Sequence, residues 1–212
     1  MKILNLIQYS PGQYYQEMRE IQRRFLKTFG ANISCYFYCY DNTIEEPFKI
    51  DGDMLYLKGT EGWDTMSPKT YDVLATCLKQ LDFDILVRTN ISTLCKVQEV
   101  VDCFSATEKL FGGNVWKEAN FMSGICMVLT RDTVQMVVEN KHLLQFWQPE
   151  DVMISYFFNE MGVPMTPINE HFGWNIDHND EKIYVFRNKR SDRNQDLEIM
   201  RQIVDEIMLA KK

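Results

Sequence analysis

At residues 83–93 the chain reads FDILVRTNIST, a short apolar run that ends in polar side chains. Residues 85–87 are branched and apolar, which is typical of a central strand that is covered on both faces. The polar string that starts at Arg88 follows at once. Because ligands of open α/β sheets bind at the carboxyl ends of the strands, this polar end predicts a functional site. Asn90 and Ser92 are also typical of residues that only shape a turn.

Strand-like and helix-like patterns alternate along the rest of the chain. Strands are predicted at residues 3–9, 33–40, 54–57, 83–87, 121–129 and 184–186. Helices are predicted between residues 10 and 30, from residue 67 onward, and at 97–104, 130–139, 149–161 and 197–207. This alternation predicts an α/β fold with a largely parallel sheet. Because no repeat or linker interrupts it, residues 1–212 are expected to form one compact domain.

The first helix carries its own boundary signals. Ser10 can cap its start and Gly30 can end it. Spacings of three and four residues predict that its buried face holds Tyr14, Met18, Ile21 and Phe25.

Composition excludes several classes of protein. The formal net charge of −7 argues against a broad nucleic-acid surface, which would be basic. No apolar run approaches the roughly 20 residues that a membrane helix needs. The six cysteines form no Cys-x-x-Cys pair, so neither a zinc ribbon nor a thioredoxin-like site is indicated. Cysteines inside apolar runs fit a reducing compartment, and a cytoplasmic location is expected.

The common phosphate-binding motifs are absent. No Gly-x-Gly-x-x-Gly follows a strand, and there is no Walker loop. The three histidines lack the spacing of zinc ligands. The phosphates of a bound nucleotide would therefore be met by a metal ion or by lysine and arginine.

Four ordered segments resemble one known family. They are Gly52–Leu55 with Pro68–Tyr71, then Phe83–Ser92, Phe121–Asp132 and Pro149–Val152. In order and spacing they resemble the GT-A glycosyltransferases of the β-1,3-galactosyltransferase type, over residues 50–165. In that family a Gly-Asp strand, a Lys-Thr helix, an aspartate-rich strand end, a Ser-Gly segment and a Glu-Asp-Val helix start follow in this sequence.

The resemblance implies a GT-A domain with a mixed, mostly parallel sheet flanked by helices, and a glycosyltransferase activity of the hexosyltransferase type. The donor would be a UDP-sugar, and the acceptor a hydroxyl of a glycan or glycoprotein. The size of the chain and its altered strand end are also similar to those of chlorella-virus glycosyltransferase domains that decorate the capsid protein. This likeness would place the chain in a host cytoplasm, as part of a longer multidomain protein.

The chain departs from the family at the strand end. There the family has aspartates that hold Mn²⁺ or Mg²⁺ against the donor diphosphate, whereas this sequence has Asn90 and Ser92. Both can ligate a hard cation, but neither brings negative charge. The resemblance implies that His171 would complete such a metal site. The alternative is that the metal is replaced, with Arg88 and the adjacent Thr89 facing the diphosphate.

Two neighbouring carboxylates are the catalytic candidates. Asp151 starts a helix, where it could simply cap the first turn. The resemblance implies that Asp151 deprotonates the acceptor hydroxyl in an inverting enzyme, or positions a sugar in a retaining one. Glu150 is the second candidate, and the sequence leaves both stereochemical courses open.

The remaining candidates are assigned by their positions relative to these segments. The donor is expected to contact Tyr9, Lys69, Ser123, Gly124, Arg187 and Lys189. The acceptor is expected to contact Trp63 and Trp147. A structural interpretation also exists for each of them: core packing for the aromatic residues, a tight strand start for the Ser-Gly pair and solvated surface for the basic residues.

Two other functions fit the same pattern. A transferase-like module that has lost its aspartates would bind glycan or nucleotide without catalysis. An α/β scaffold with a chance resemblance would have no crevice at the carboxyl end of the sheet.

Overall fold

We analysed a computed structural model of the chain, which describes residues 1–104, 110–116 and 120–210. The strands in these ranges are β1 (Ile3–Gln8), β2 (Ile33–Asp41), β3 (Phe48–Asp51), β4 (Met54–Lys58), β5 (Ile85–Asn90), β6 (Thr93–Cys95), β7 (Phe111–Trp116), β8 (Phe121–Thr130), β9 (Met165–Pro167), β10 (Phe172–Trp174) and β11 (Val185–Arg187). The α-helices are α1 (Gln13–Leu26), α2 (Met66–Gln80), α3 (Val97–Asp102), α4 (Arg131–Glu139), α5 (Glu150–Glu160) and α6 (Arg193–Ala210). Two short 3₁₀ helices lie at Lys141–Leu143 and Asn169–His171.

Eight strands form the central sheet, in the order β3-β4-β2-β1-β5-β8-β7-β9. Strand β1 runs parallel to both β2 and β5, whereas β8 runs antiparallel to β5 and β7. The expected α/β fold with a mixed, mostly parallel sheet is confirmed. A second sheet of three short strands, β10-β11-β6, follows the carboxyl end of β5.

Helices cover both faces of the central sheet because its inner strands are apolar on both sides. In β1, Leu4 and Leu6 pack in the cluster that contains α2, α4 and α5, whereas Ile7 packs with α1 and α6. In β2, Tyr38 faces the first cluster and Phe37 the second. Side chains on a strand alternate between its two faces, so a continuous apolar run serves two helical layers.

The start and one face of α1 differ from the prediction. The helix starts behind Gly12, and the Ser10 hydroxyl lies 3.1 Å from a carboxylate oxygen of Glu61 instead of capping it. Tyr14 is 41% exposed and does not belong to the buried face. That face consists of Met18, Ile21 and Phe25, as predicted, and of Gln22. The helix also ends at Leu26, before the predicted stop at Gly30.

Strand β5 is longer than the sequence predicts. It continues through Arg88 and Thr89 to Asn90, and both Arg88 and Thr89 are buried inside the sheet. Gly162 follows α5 with a positive φ of 70°, a conformation that favours glycine and often ends a helix. None of the described helices combines the length and the apolarity that a membrane crossing requires.

Candidate active site

A cleft of about 870 Å³ opens where β1 and β5 end. Gln8 and Asn90, which are register partners on these two strands, form part of its floor. Its walls come from β8, from the first turn of α5 and from β11 with the segment that follows it. The crevice that the sequence predicts at the carboxyl end of the sheet is therefore present.

The cleft brings together some of the predicted site residues and not others. Its lining includes Trp63, Asn90, Ser92, Ser123, Gly124, Glu150, Asp151, Arg187 and Lys189. Outside the lining lie Tyr9, Lys69, Arg88, Thr89, Trp147 and His171.

Arg88 lies beneath the cleft floor instead of pointing into the crevice. It is 1% exposed, and its three side-chain nitrogen atoms donate to the Tyr38 hydroxyl at 3.0 Å, to the Gly124 carbonyl and to a Glu150 carboxylate oxygen at 2.9 Å. These partners lie on β2, on β8 and at the start of α5. A buried ion pair of this kind neutralises both charges and fixes the elements that carry them.

The network around Arg88 leaves no room for a side chain at position 124. A Cβ at this position would lie 2.8 Å from Arg88 Nη1 and 3.0 Å from Glu150 Oε1. Glycine was expected here to let a sugar approach the backbone closely. In the structure the space of the missing Cβ is taken by the buried ion pair, while the residue still lines the cleft.

Asp151 is a cleft carboxylate that is held by the backbone. Its Oδ2 accepts a hydrogen bond of 3.0 Å from the Gly124 N–H, and its Oδ1 accepts one of 3.0 Å from the Val152 N–H. It forms no ion pair within the described part of the chain, unlike the adjacent Glu150. Asp151 is therefore fixed in position while its negative charge is left unpaired.

Glu61 is a cleft residue that sequence reasoning missed. Both of its oxygens lie 2.8 Å from the Nζ of Lys69, which is fully buried, and Oε1 also accepts from the Tyr40 N–H. The pKa of Lys69 is lowered, because the effect of burial exceeds the opposing effect of the paired Glu61 carboxylate. The loop around Glu61 contains no sequence pattern that predicts a contact with a lysine of α2. Lys69 thus holds the cleft wall through Glu61.

Arg187 lines the cleft at the end of β11. It is 8% exposed, and its Nη1 donates to the Ser92 hydroxyl. Its Nε is buried without an acceptor, and it forms no ion pair with any carboxylate of the described residues. Burial, with Arg193 nearby, lowers the pKa of Arg187 to about 10, so it is still charged at neutral pH.

Further positive charge surrounds Arg187. Lys189 is exposed at the cleft edge, and Arg190 and Arg193 also line it. These two arginines share one carboxylate, that of the buried Asp196. This side of the cleft consequently carries an excess of positive charge.

The residues at the strand end do not fit a divalent metal ion. Asn90 offers a neutral amide, and the hydroxyl of Ser92 already accepts a hydrogen bond from a guanidinium group. His171 stacks on Tyr184 at a centroid distance of 4.3 Å, and it lies outside the lining. Among residues 1–104, 110–116 and 120–210, no three His, Cys, Asp or Glu side chains are grouped so that they could hold an ion.

Exposed aromatic side chains form the rim. Trp63 is 83% exposed, and Trp116 stacks on Phe121 with their planes 6° apart. Trp174 is the register partner of Arg187 on the small sheet. Trp147 is 78% exposed but is not part of the cleft lining.

At the end of β1 the residue that lines the cleft differs from the prediction by one position. Tyr9 is buried, and the Arg19 guanidinium lies 5.0 Å from the centre of its ring. Gln8 lines the cleft instead, and its Oε1 is buried without a hydrogen-bond partner. The alternation of side chains along a strand explains this outcome, because neighbours point to opposite faces.

Comparisons with known proteins agree with this architecture. A model of the galactosyltransferase family matches residues 104–169, which include β7, β8, α4 and α5. Among solved structures, a glycosyltransferase involved in the glycosylation of the major capsid of PBCV-1 superposes with a TM-score of 0.58 at 9% identity, covering 96% of this chain and 100% of that one.

Two further structures share the fold. The galactosyltransferase LgtC, solved with donor and acceptor sugar analogues, gives a TM-score of 0.51 at 10% identity over 94% of this chain and 95% of its own. The glycosyltransferase GlyE of Streptococcus pneumoniae gives 0.53 at 8% identity over 99% of this chain and 62% of its own. No curated protein matches the sequence significantly. The chain therefore has the GT-A glycosyltransferase fold, and its residues 104–169 match the model of the galactosyltransferase family.

Proposed function

We propose that this protein transfers a sugar from a nucleoside diphosphate sugar, with UDP as the expected nucleotide, to a hydroxyl of a glycan or glycoprotein. One observation carries the proposal. The lining of the cleft at the carboxyl ends of β1 and β5 contains both a cation, Arg187, and a carboxylate, Asp151, and neither forms an ion pair with another described residue. Transfer from a sugar diphosphate needs both, because negative charge grows on the leaving diphosphate while the acceptor hydroxyl loses a proton.

The donor is proposed to lie across the floor of the cleft. Its base would meet Gln8, whose orphaned side-chain oxygen can accept an N–H of uracil. The diphosphate would lie towards Arg187 and Lys189, where charge-assisted hydrogen bonds stabilise the leaving group. Ser123 would contact the donor as well, since it also lines the cleft.

Asp151 is the proposed general base if the reaction inverts the anomeric centre. The acceptor oxygen attacks the anomeric carbon, the bond from that carbon to the diphosphate breaks, and the hydroxyl proton passes to the carboxylate. The two backbone N–H groups that hold Asp151 fix its direction. In a retaining reaction the same carboxylate would position a sugar hydroxyl. Glu150 is less suited to either role, because Arg88 neutralises it.

The acceptor is proposed to rest on the aromatic rim. Trp63 and the Trp116–Phe121 stack offer flat apolar faces, which suit the C–H faces of sugar rings. A glycan of a viral capsid protein belongs in any acceptor panel, because the PBCV-1 protein of the same fold is involved in capsid glycosylation.

A second candidate function is a binding module without catalysis. The replacement of the family's metal-binding aspartates by Asn90 and Ser92 favours it. Such a module would bind UDP and UDP-sugars but would neither transfer the sugar nor hydrolyse the donor.

Calorimetry with UDP, together with transfer assays over a panel of UDP-sugars and acceptors, tests the proposal. Asp151→Asn is expected to lower the rate of transfer by roughly 10²–10⁴-fold while UDP binding is kept, because only proton removal is lost. Asp132→Asn is the matched control, since Asp132 is also an aspartate in the first turn of a helix but is exposed outside the cleft. Failure to bind UDP would contradict the proposal, and binding without turnover of any donor would favour the second candidate.

A further inference from the structure

We propose that Arg187 takes the place of the divalent cation that this fold is expected to use, so that the protein binds its nucleoside diphosphate without a metal ion. This inference rests on the proposed function and assigns a specific residue to the neutralisation of the diphosphate. The family resemblance implies a metal site at the end of β5, but this strand end has no acidic side chain that could bind a metal ion.

The position of Arg187 coincides with the place where a metal ligand would otherwise stand. Its Nη1 donates to the hydroxyl of Ser92, one of the two residues that replace the family's aspartates. A metal ion at this point would have to displace the guanidinium from that hydroxyl and would be repelled by its charge. A divalent ion bound with a diphosphate usually takes one or two carboxylates from the protein and its other ligands from phosphate and water, whereas Asn90 offers only a neutral oxygen.

The backbone holds Arg187 firmly in this position. In the small sheet it is the register partner of Trp174 on β10 and of Thr93 on β6. Its carbonyl accepts a 2.8 Å hydrogen bond from the Asn175 N–H, and the next residue, Asn188, donates to the Ser92 carbonyl. Groups fixed in advance need no reorganisation when charge develops next to them.

The guanidinium keeps hydrogen-bonding capacity that the described residues do not use. Arginine has five N–H donors, and here the Nε is buried without a partner while no carboxylate pairs with the group. The Asp196 carboxylate acts on Arg187 from beyond ion-pair distance and is shared with Arg190 and Arg193, so the charge of Arg187 is compensated only in part. A buried cation in this state is costly for a protein to maintain. The planar fork of arginine matches two phosphate oxygens at once, so a diphosphate would satisfy both the charge and the free donors.

Neighbouring residues extend this charge along the cleft. Lys189 is exposed at the cleft edge, and Arg190 and Arg193 both form ion pairs with the single carboxylate of Asp196. Burial lowers the pKa of Arg187 to about 10, with Arg193 contributing, which still leaves the side chain protonated at neutral pH. The cluster can therefore balance the two or more negative charges of a diphosphate.

The test is calorimetric titration of the full chain with UDP and, separately, with uridine. Each titration is done once with a chelator and once with Mn²⁺. We expect UDP affinity in the chelator to equal that in Mn²⁺ within about twofold. Arg187→Met should weaken UDP binding by about 10- to 100-fold, the value of charge-assisted hydrogen bonds, and should leave uridine affinity unchanged. Arg187→Lys should restore part of the loss, since it keeps the charge without the fork.

Arg201→Met is the matched control, because Arg201 pairs with Glu17 on the surface and does not line the cleft. UDP binding that requires Mn²⁺, or Arg187→Met and Arg187→Lys proteins that bind UDP like the original, would overturn this inference while leaving the proposed function intact. Failure of UDP to bind in either buffer would instead overturn the proposed function, and this inference with it.

Discussion

Two buried arginines in this protein show how neighbours decide what a guanidinium group does. Arg88 meets a hydroxyl, a carbonyl and the carboxylate of Glu150, so its charge is balanced. Arg187 meets the hydroxyl of Ser92 and no carboxylate of the described residues. The first therefore links elements of the fold, whereas the second, on the proposed function, is available to a ligand.

The unpaired charge of Arg187 predicts a specific effect on stability. Its pKa is lowered to about 10 by burial, so the unfolded chain holds this proton more tightly than the folded protein does. The charged side chain therefore destabilises the fold at every pH below about 10, and the effect disappears as the pH rises to the usual pKa of arginine. Arg187→Met should raise the free energy of unfolding by about 1–3 kcal/mol at pH 7.

Urea denaturation without nucleotide measures this change. The original protein should recover the difference when UDP is added, because a ligand at 100 times its dissociation constant adds about 2.7 kcal/mol. A variant that is less stable than the original would mean that Arg187 serves the fold and not the ligand.

Strands β5 and β8 and helix α5 are joined by one polar cluster inside an otherwise apolar interface. Arg88 on β5 reaches the Gly124 carbonyl on β8 and Glu150 in the first turn of α5. Gly124 also donates its N–H to Asp151. The cluster thus places the catalytic candidate relative to the strand ends, although Arg88 itself does not touch the cleft.

Breaking this cluster should cost much of the protein's stability. Arg88→Met is expected to lower the free energy of unfolding by about 3–5 kcal/mol, because the Glu150 carboxylate is left buried without a cation. The double variant Arg88→Met with Glu150→Gln should lose less than Arg88→Met alone, since no buried charge remains. Chemical denaturation of the three proteins gives the comparison, and equal losses for the single and double variants would contradict it.

The sequence predicts the helices and the inner strands well, because their apolar periodicity is local. It misses β3, β6, β7, β9 and β10, and two of these strands show the physical reasons. β6 has three residues, too few for a period, and the glycines at 112 and 113 make β7 read as a turn. Gly113 has a φ of 142° at a shift of register between β7 and β8, a conformation that favours glycine.

The site is predictable in place but not in detail. The polar end of β5 marks the cleft because this is a general property of open α/β sheets. The roles of individual side chains depend on partners far along the chain: Glu150 lies 62 residues from Arg88, and Arg187 lies 95 residues from Ser92. No local pattern can tell which of two arginines finds a carboxylate and which does not.

The cleft as a unit is assembled from both sheets and several loops. The central sheet supplies its floor, the small sheet supplies Arg187, and the rim carries three of the four tryptophans in the sequence, Trp63, Trp116 and Trp174. Exposed tryptophans gathered around one opening indicate a surface that becomes covered when a partner binds. On the proposed function, that partner is the acceptor glycan.

Removal of rim tryptophans should affect the acceptor and not the donor. Trp63→Ala and Trp116→Ala are each expected to raise the KM for a glycan acceptor by about 5- to 30-fold, the loss of one or two kcal/mol of stacking. UDP affinity should stay unchanged. Trp147→Ala is the matched control, as an exposed tryptophan that does not line the cleft. An equal effect of all three substitutions on acceptor KM would count against an acceptor at the rim.

The most direct test of the account is a crystal structure of the protein with a bound UDP-sugar and Mn²⁺ in the solution. The account predicts that phosphate oxygens lie roughly 3 Å from the guanidinium nitrogens of Arg187, beside Ser92, with no metal ion between Asn90 and the diphosphate. A diphosphate bound away from the ends of β5 and β11, or one held there by a metal ion with Arg187 turned aside, would contradict it.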